Sequence, residues 1–499
     1  MGTPKIVLTA DRTLMSPYRG LSLATFFGCA PALDPNRDKN SLLYKILGNQ
    51  VTPKILFDFI CNYIPHTNGV ANYAPYGLRK VEAGLLRDGF RREDVVVAHP
   101  DHIEKFIGPD TQVIGTYEMD PLGMGPVTMT FTYGRKQTSY DEFYNAELHR
   151  RIKVAKQKTG SKAKVISGAS GTWQYNYDPE KIEEFGIYAI LEGELGGIAP
   201  EIDGHAGRFF NYLINGDFEN MDPFRKRSDF KVNIKEFERN GKKIHGRFVN
   251  FWDRPDLDEI PEIVEPSMHG MVEVMRGCGR GCKFCDVTLR SLRYYSPEKV
   301  KREIEVNIKK GGAKSAWIHS DDIFVYGMDP RTAKGMEPNR EALEELFTAI
   351  MSTGVGHTNP THGTLAGAIA DEKLIPNLSR ITKSRDNNPV STKYCLALLT
   401  IFSAVSFSIP VISAISTGPL TIRSITLCTP ASDNFLVVTG PTPSKLSNLK
   451  SSTIPYGTVL VLYNVIVLKN DRKKTIYCNR FDLTSLSSLT RFILSWKST

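Results

Sequence analysis

Cys278, Cys282 and Cys285 fall within the string RGCGRGCKFC, at the spacing C-x3-C-x2-C. Three thiolates this close can hold three irons of a four-iron cluster and leave the fourth iron open to a ligand. Zinc is the competing reading, but a structural zinc normally takes four ligands in paired spacing. Cys29 and Cys61 are remote in sequence, so a fourth thiolate would have to be brought in by the fold. A disulfide framework does not suit a 499-residue chain with eight cysteines. Glycines at 277, 279 and 281 favour a tight loop, because glycine accepts positive φ and lets backbone approach closely.

With the aromatic Phe284 just before the last cysteine, the segment resembles the signature of the radical S-adenosylmethionine (radical SAM) enzymes. The resemblance implies a [4Fe-4S] cluster on Cys278, Cys282 and Cys285. Its open iron would chelate the amino and carboxylate groups of SAM, and one electron would cleave SAM to a 5'-deoxyadenosyl radical. Phe284 would lie against the cofactor. Asp321 and Asp322, at the end of the second expected barrel strand, resemble the family's site for the SAM amino group, with a turn cap as the alternative reading. Arg276 and Arg280 flank the cysteines, and could meet the SAM carboxylate, tune the cluster or simply face solvent. A ferredoxin or flavodoxin is the implied electron donor. The substrate, a small molecule or a lipid, is not identified by any motif.

The elements that would position these residues begin with an open α/β pattern over residues 1–215. Strands are expected at Lys5–Ala10, Asp94–Ala98, Gln112–Tyr117, Ala163–Ser167 and Ile187–Leu191. Helices are expected at Tyr76–Asp88, through the stripe Leu78, Val81, Leu85 and Leu86, and at Tyr140–Gln157. Glycine-bearing loops follow two strands, at 120–126 and at 167–171, and Glu192-Gly193-Glu194 follows the last. Ligands of doubly wound sheets bind beyond the carboxyl ends of strands. The arrangement resembles the Rossmann-like cobalamin (B12)-binding domain that precedes the radical SAM domain in a large archaeal and bacterial subfamily. That resemblance implies cobalamin near Gly168 and Gly171, and C-methylation as the reaction. The cobalt-ligating D-x-H-x-x-G motif is absent; Asp203-Gly204-His205-Ala206-Gly207 has the wrong spacing, and His205 reads as a helix residue.

The chain thus reads as an α/β protein with four parts: the B12-binding-like domain (1–215), a connecting segment (216–270), the first half of a radical SAM (β/α) barrel (271–382), and an anomalous tail (383–499). In the barrel part, a strand at Met271–Met275 precedes the cysteines. A helix capped by Ser296 with Pro297 at N1, a strand at Lys314–His319, a helix at Glu341–Ile350 and a strand at Gly354–Thr358 follow them.

The net charge of +9 does not indicate nucleic acid. The tail holds 13 Lys+Arg against 4 Asp+Glu, which leaves 50 of each sign in residues 1–382. No signal peptide is expected, and the cytoplasm is the expected compartment. From Lys373 onward there is no Glu, Gln, His or Met, and from residue 384 roughly a quarter of the positions are Ser or Thr. The expected cause is loss of the reading frame near residue 383. Residues 394–416 are long and uncharged enough to be a membrane candidate, although a membrane association is not expected. Two alternatives stand beside the cobalamin-dependent enzyme: a radical SAM enzyme without cobalamin, and a truncated, non-catalytic iron–sulfur-binding remnant.

Overall fold

The computed structural model describes residues 3–20, 22–32, 54–195, 205–216, 230–251, 254–281, 290–329 and 337–382, with the short strands 468–469 and 472–473. The expectations for the tail, including a span at 394–416 and a lost frame, otherwise fall outside these residues. So do those for Cys282, Phe284 and Cys285. The chain divides into two units, residues 1–319 with 348–359, and residues 320–347 with 360–499.

The first unit is built on a seven-stranded, mostly parallel sheet. Its strands are β1 (Ile6–Ala10), β2 (Val95–Val97), β3 (Val113–Tyr117), β4 (Lys164–Gly168), β5 (Ile187–Glu192), β6 (Phe230–Arg239) and β7 (Lys242–Phe251), in the order β2-β1-β3-β4-β5-β7-β6. The first five run parallel in the doubly wound order 2-1-3-4-5, whose ligand crevice lies between β1 and β3. The apolar runs on β1 explain its central place, since a strand covered on both faces needs no polar alternation. Ile6, Leu8 and Ala10 pack on one face with Leu78, Phe209 and Phe210. Val7 packs on the other with Ile114, Leu148 and Ile152.

The helices covering these faces are α1 (Tyr76–Arg87), α2 (Tyr140–Thr159) and α3 (His205–Asn215). Ser139 caps α2 by accepting from the Glu142 amide at 3.1 Å, and left-handed Gly160 ends it. His205 opens α3. Asp88 accepts from the Gly207 amide at 2.7 Å, so the end of α1 caps the first turn of α3.

The sheet also corrects one expectation. Residues 230–251 lie inside the expected connecting segment, yet they form an antiparallel hairpin that extends the sheet, with Arg239 paired to Lys242 across Asn240-Gly241. Both turn residues have positive φ, as a two-residue hairpin turn requires. β7 then joins β5 in parallel, pairing Ile190 with Phe248. Charged side chains along this outermost pair hid the alternation in the sequence.

A second sheet in the same unit holds β8 (Met271–Glu273), β9 (Ser315–His319) and β10 (His357–Pro360), ordered β8-β9-β10, with β8 and β9 parallel. Helix α4 (Pro297–Gly311) precedes β9. Ser296 stands at its N-cap, but its side chain makes no capping bond; its amide instead donates to Asp258 at 2.9 Å. The second unit carries the turn Ile323–Val325, the start of α5 (Arg340–Ser352), and the helices Leu365–Ala370 and Leu374–Ile381.

Helix α1 joins the large sheet to α4 through buried charge. Glu303 on α4 accepts from Lys80 and, at 2.6 Å, from the Tyr76 hydroxyl, with Lys80 5% and Glu303 1% exposed. Removing one partner of such a pair leaves the other charged and desolvated. Glu303→Ala is expected to destabilise the protein by about 3–5 kcal/mol. Thermal denaturation checks this, and a melting point within a degree or two of the parent would contradict it.

Candidate functional site

The cysteine segment begins and ends on a two-residue antiparallel ladder, Met275–Arg276 against Arg293–Tyr294. Cys278 follows this ladder directly and is buried. Gly277, Gly279 and Gly281 all have positive φ, at 77°, 63° and 73°. A Cβ at Gly277 would lie 2.6 Å from the Arg290 carbonyl oxygen and 2.8 Å from that of Ser291, so only glycine fits where the two arms of the segment meet. The described part of the segment, 277–281, therefore turns tightly on either side of Cys278. Among the described residues no three His, Cys, Asp or Glu side chains converge on a metal site, and two of the three cysteines lie outside them.

Charge surrounds this ladder. Arg276 donates to both oxygens of Glu273 (2.8 and 2.9 Å) and to Glu194 at 2.7 Å. Arg293 donates to both oxygens of Glu194 and, at 2.7 Å, to the Pro255 carbonyl. Tyr295 adds a hydroxyl donor to Glu273 at 3.2 Å. Burial alone would lift the Glu273 carboxyl, but the Arg276 guanidinium outweighs it and holds the group below its ordinary value. Arg276, open between three roles in the sequence, thus spends its hydrogen-bonding capacity on two carboxylates. Gly193 makes the contact to Glu194 possible: its φ is +100°, and a Cβ there would sit 2.4 Å from the Phe251 carbonyl oxygen.

The carboxyl edge of the large sheet gathers a second set of polar groups. Glu118, one residue beyond β3, is fully enclosed. It accepts from Thr116 at 2.7 Å, Ser167 at 2.9 Å, His149 Nε2 at 2.8 Å and the Tyr175 hydroxyl at 2.7 Å. His149 stacks on Phe185, and its Nδ1 is buried without a hydrogen-bond partner. Asp120 accepts from the Gly125 amide (2.9 Å), Gln174 (2.6 Å) and Thr128, which orders the 120–126 loop.

Asp11, just past β1, accepts from the Thr13 amide and hydroxyl, yet burial pushes its carboxyl up to about 6. Asp141 is pushed well above the usual range by burial, then by the charges of Asp11 and Asp120. The Cys29 thiol is raised by burial and by Asp141. At this end of the β1–β3 crevice, burial shifts the Asp11 and Asp141 carboxyls toward the protonated form relative to free aspartate.

The residues singled out in the sequence are placed as follows. Gly168 ends β4 and has only Leu191 near its open side, at 3.8 Å. A Cβ at Gly171 would meet the Met119 carbonyl oxygen at 2.4 Å, so that glycine lets the loops after β3 and β4 touch. Gly168, Gly171 and Cys278 belong to the first unit, and Asp321 and Asp322 to the second. Asp322 is buried, accepting from the Phe324 amide at 3.2 Å and from the Thr364 amide and hydroxyl at 3.1 and 3.0 Å. It therefore caps a turn. Glu118, His149, Asp11 and Asp141 were not singled out by sequence reasoning. The available signal for Glu118 and Asp11 was their place directly after the two strands that flank the crevice.

No family model matches the chain, and no solved structure matches it. Two curated proteins do, each named tRNA-2-methylthio-N(6)-dimethylallyladenosine synthase, from the Boryong and Ikeda strains of Orientia tsutsugamushi. Each is 30% identical over 90 residues, a stretch that is 17% of this chain. The chain spans only 20% of the length of these relatives. The similarity supports a relationship to the radical SAM superfamily and does not extend to the cobalamin subfamily. Among the described residues, no helix is long and apolar enough to cross a membrane.

Asp11 yields a pH prediction. Between the ordinary aspartate value and about 6, the folded state keeps a proton that the unfolded chain has released. Stability therefore falls as pH rises through that window, and the whole penalty, on the order of 3 kcal/mol, is present above it. Asp11→Asn keeps the acceptor for Thr13 and removes the titration. Its melting temperature relative to the parent is expected to rise between about pH 4 and pH 7. A constant difference across that range would contradict the assignment.

Proposed function

We propose that this chain is a radical SAM enzyme, with Cys278, Cys282 and Cys285 as the ligands of a [4Fe-4S] cluster. The observation that carries the reading is the three-cysteine segment itself, with Cys278 buried on a loop of three left-handed glycines. The 90-residue similarity to a tRNA-2-methylthio-N(6)-dimethylallyladenosine synthase supports it. When bound, the cluster would supply the electron that breaks a carbon–sulfur bond of SAM.

The chain's own part is to hold and shield. The ladder at the root of the segment holds Cys278 buried, which would keep solvent from that ligand. Backbone amides that donate to the sulfurs would tune the potential of a cluster held here. For the acidic pair, the proposed contact with the SAM amino group rests on its place after β9 in the sequence. Asp321 is the better candidate of the two, because Asp322 is taken up in capping. The balance of acidic and basic residues through 1–382 supports a small-molecule or lipid substrate over nucleic acid. A ferredoxin or flavodoxin remains the proposed electron donor.

A finer reading gives the large sheet a cobalamin and the enzyme a C-methylation reaction, with residues 1–215 as the binding domain and 271–382 as the radical SAM core. It is supported by the 2-1-3-4-5 strand order and by the open side of Gly168 at the carboxyl edge. Cobalamin carried through purification from a supplemented host would support it. A protein that takes up none would favour the radical SAM enzyme without cobalamin.

The cluster assignment is tested by anaerobic reconstitution of the full chain with iron and sulfide. About four irons per chain are expected, with 5'-deoxyadenosine released on adding SAM and a reductant. Cys278→Ala, Cys282→Ala and Cys285→Ala are each expected to abolish both. Iron uptake that survives all three substitutions would defeat the assignment.

A further inference from the structure

In the ladder at the root of the cysteine segment, Arg276 stands directly opposite Arg293. Like charges facing each other across an antiparallel pair push the strands apart. These two are also largely withdrawn from solvent, at 19% and 14% side-chain exposure, so water screens them poorly. Glu273 is committed to Arg276 and Tyr295 and does not bridge the pair. Glu194 does. One of its oxygens accepts from Arg276 at 2.7 Å and from Arg293 at 3.0 Å, and the other accepts from Arg293. Glu194 belongs to neither strand of the ladder; it follows β5 of the large sheet by two residues, turned there by Gly193.

We propose that Glu194 is the positioning residue of the cysteine segment, holding two mutually repelling arginines together so that Cys278 stays buried. This rests on the cluster reading only for its purpose; the electrostatic clasp stands on the geometry alone. It gives the Glu-Gly-Glu sequence a division of labour. Glu192 is hydrogen-bonded by Asn176 at 3.3 Å, Gly193 makes the turn against Phe251, and Glu194 reaches the ladder. The edge of the sheet that carries the polar crevice thereby also determines how tightly the cysteine segment begins and ends.

The test uses the full, reduced, metal-free chain and reads the alkylation rate of Cys278 by peptide mass spectrometry. Cys61, buried in a different cluster of the same unit, serves as the internal standard. Glu194→Gln is expected to speed alkylation of Cys278 roughly tenfold and leave Cys61 unchanged, since an uncompensated charge then remains at the ladder. The double variant Glu194→Gln with Arg293→Gln removes the repulsion together with the clasp, and is expected to bring the rate most of the way back. A merely structural loss would not be repaired by a second deletion.

An unchanged rate in Glu194→Gln overturns the proposal. So does a double variant at least as fast as the single one. Reconstitution of the same proteins provides an independent readout: Glu194→Gln is expected to raise the cluster's midpoint potential, because one negative charge at the ladder that leads into Cys278 is gone, and an unshifted or lowered potential counts against the clasp. If the parent chain takes up no cluster, the functional reading fails, while the alkylation result still decides the role of Glu194.

Discussion

A guanidinium taken out of water has to be met by carboxylate, and the first unit of this protein is organised around that requirement. Arg276 sits immediately before the cysteine segment and is met from two directions, by Glu273 at the end of β8 and by Glu194 from the large sheet. The same rule operates on the neighbouring helix pair. Lys80 meets Glu303, while Arg79 and Arg92 both meet Glu82. Each pair links residues on separate elements or locks a helix side chain that faces the interior. Apolar contact alone would tolerate sliding between the two sheets of this unit. A buried ion pair does not, because any displacement strands a desolvated charge.

The carboxyl edge of the large sheet follows the opposite regime. There the acids gather without an equal number of cations. Glu118 is satisfied by four neutral or weakly basic donors, and burial pushes the Asp11 and Asp141 carboxyls up. Glu273 and Asp11 are both buried acids, yet one is shifted down and the other up. The difference is the guanidinium beside Glu273. Two chemical environments therefore exist within one unit: a charge-compensated ladder leading into Cys278, and a crevice at the switch point of the sheet where burial raises the acids.

Much of the sheet was legible in the chain. The five parallel strands were expected within a residue or so of where they lie, because strands covered on both faces are written as short apolar runs. The hairpin at 230–251 was missed because an outermost pair can leave one face wet, and its lysines and glutamates resemble a linker. Asn240-Gly241 was the signal that would have found it. Helix α1 shows a different limit. Its apolar stripe correctly placed Leu78 and Leu85 inside, but the structure also buries Arg79, Lys80 and Glu82. Periodicity of apolar residues cannot reveal a charged residue whose partner is more than 200 positions away, as Glu303 is from Lys80.

The sequence by itself determined the chemistry to be expected at the cysteines, since thiolate number and spacing are local properties of a short string. It also determined the parallel core of the first domain, because hydrophobic runs and turn residues act over short range. Only the tertiary structure decided which carboxylate faces which arginine, why Gly193 must precede Glu194, and which acids at the crevice are shifted upward by burial. Those outcomes depend on distance through space and on the loss of water around each charge, and neither is written in the order of residues along the chain.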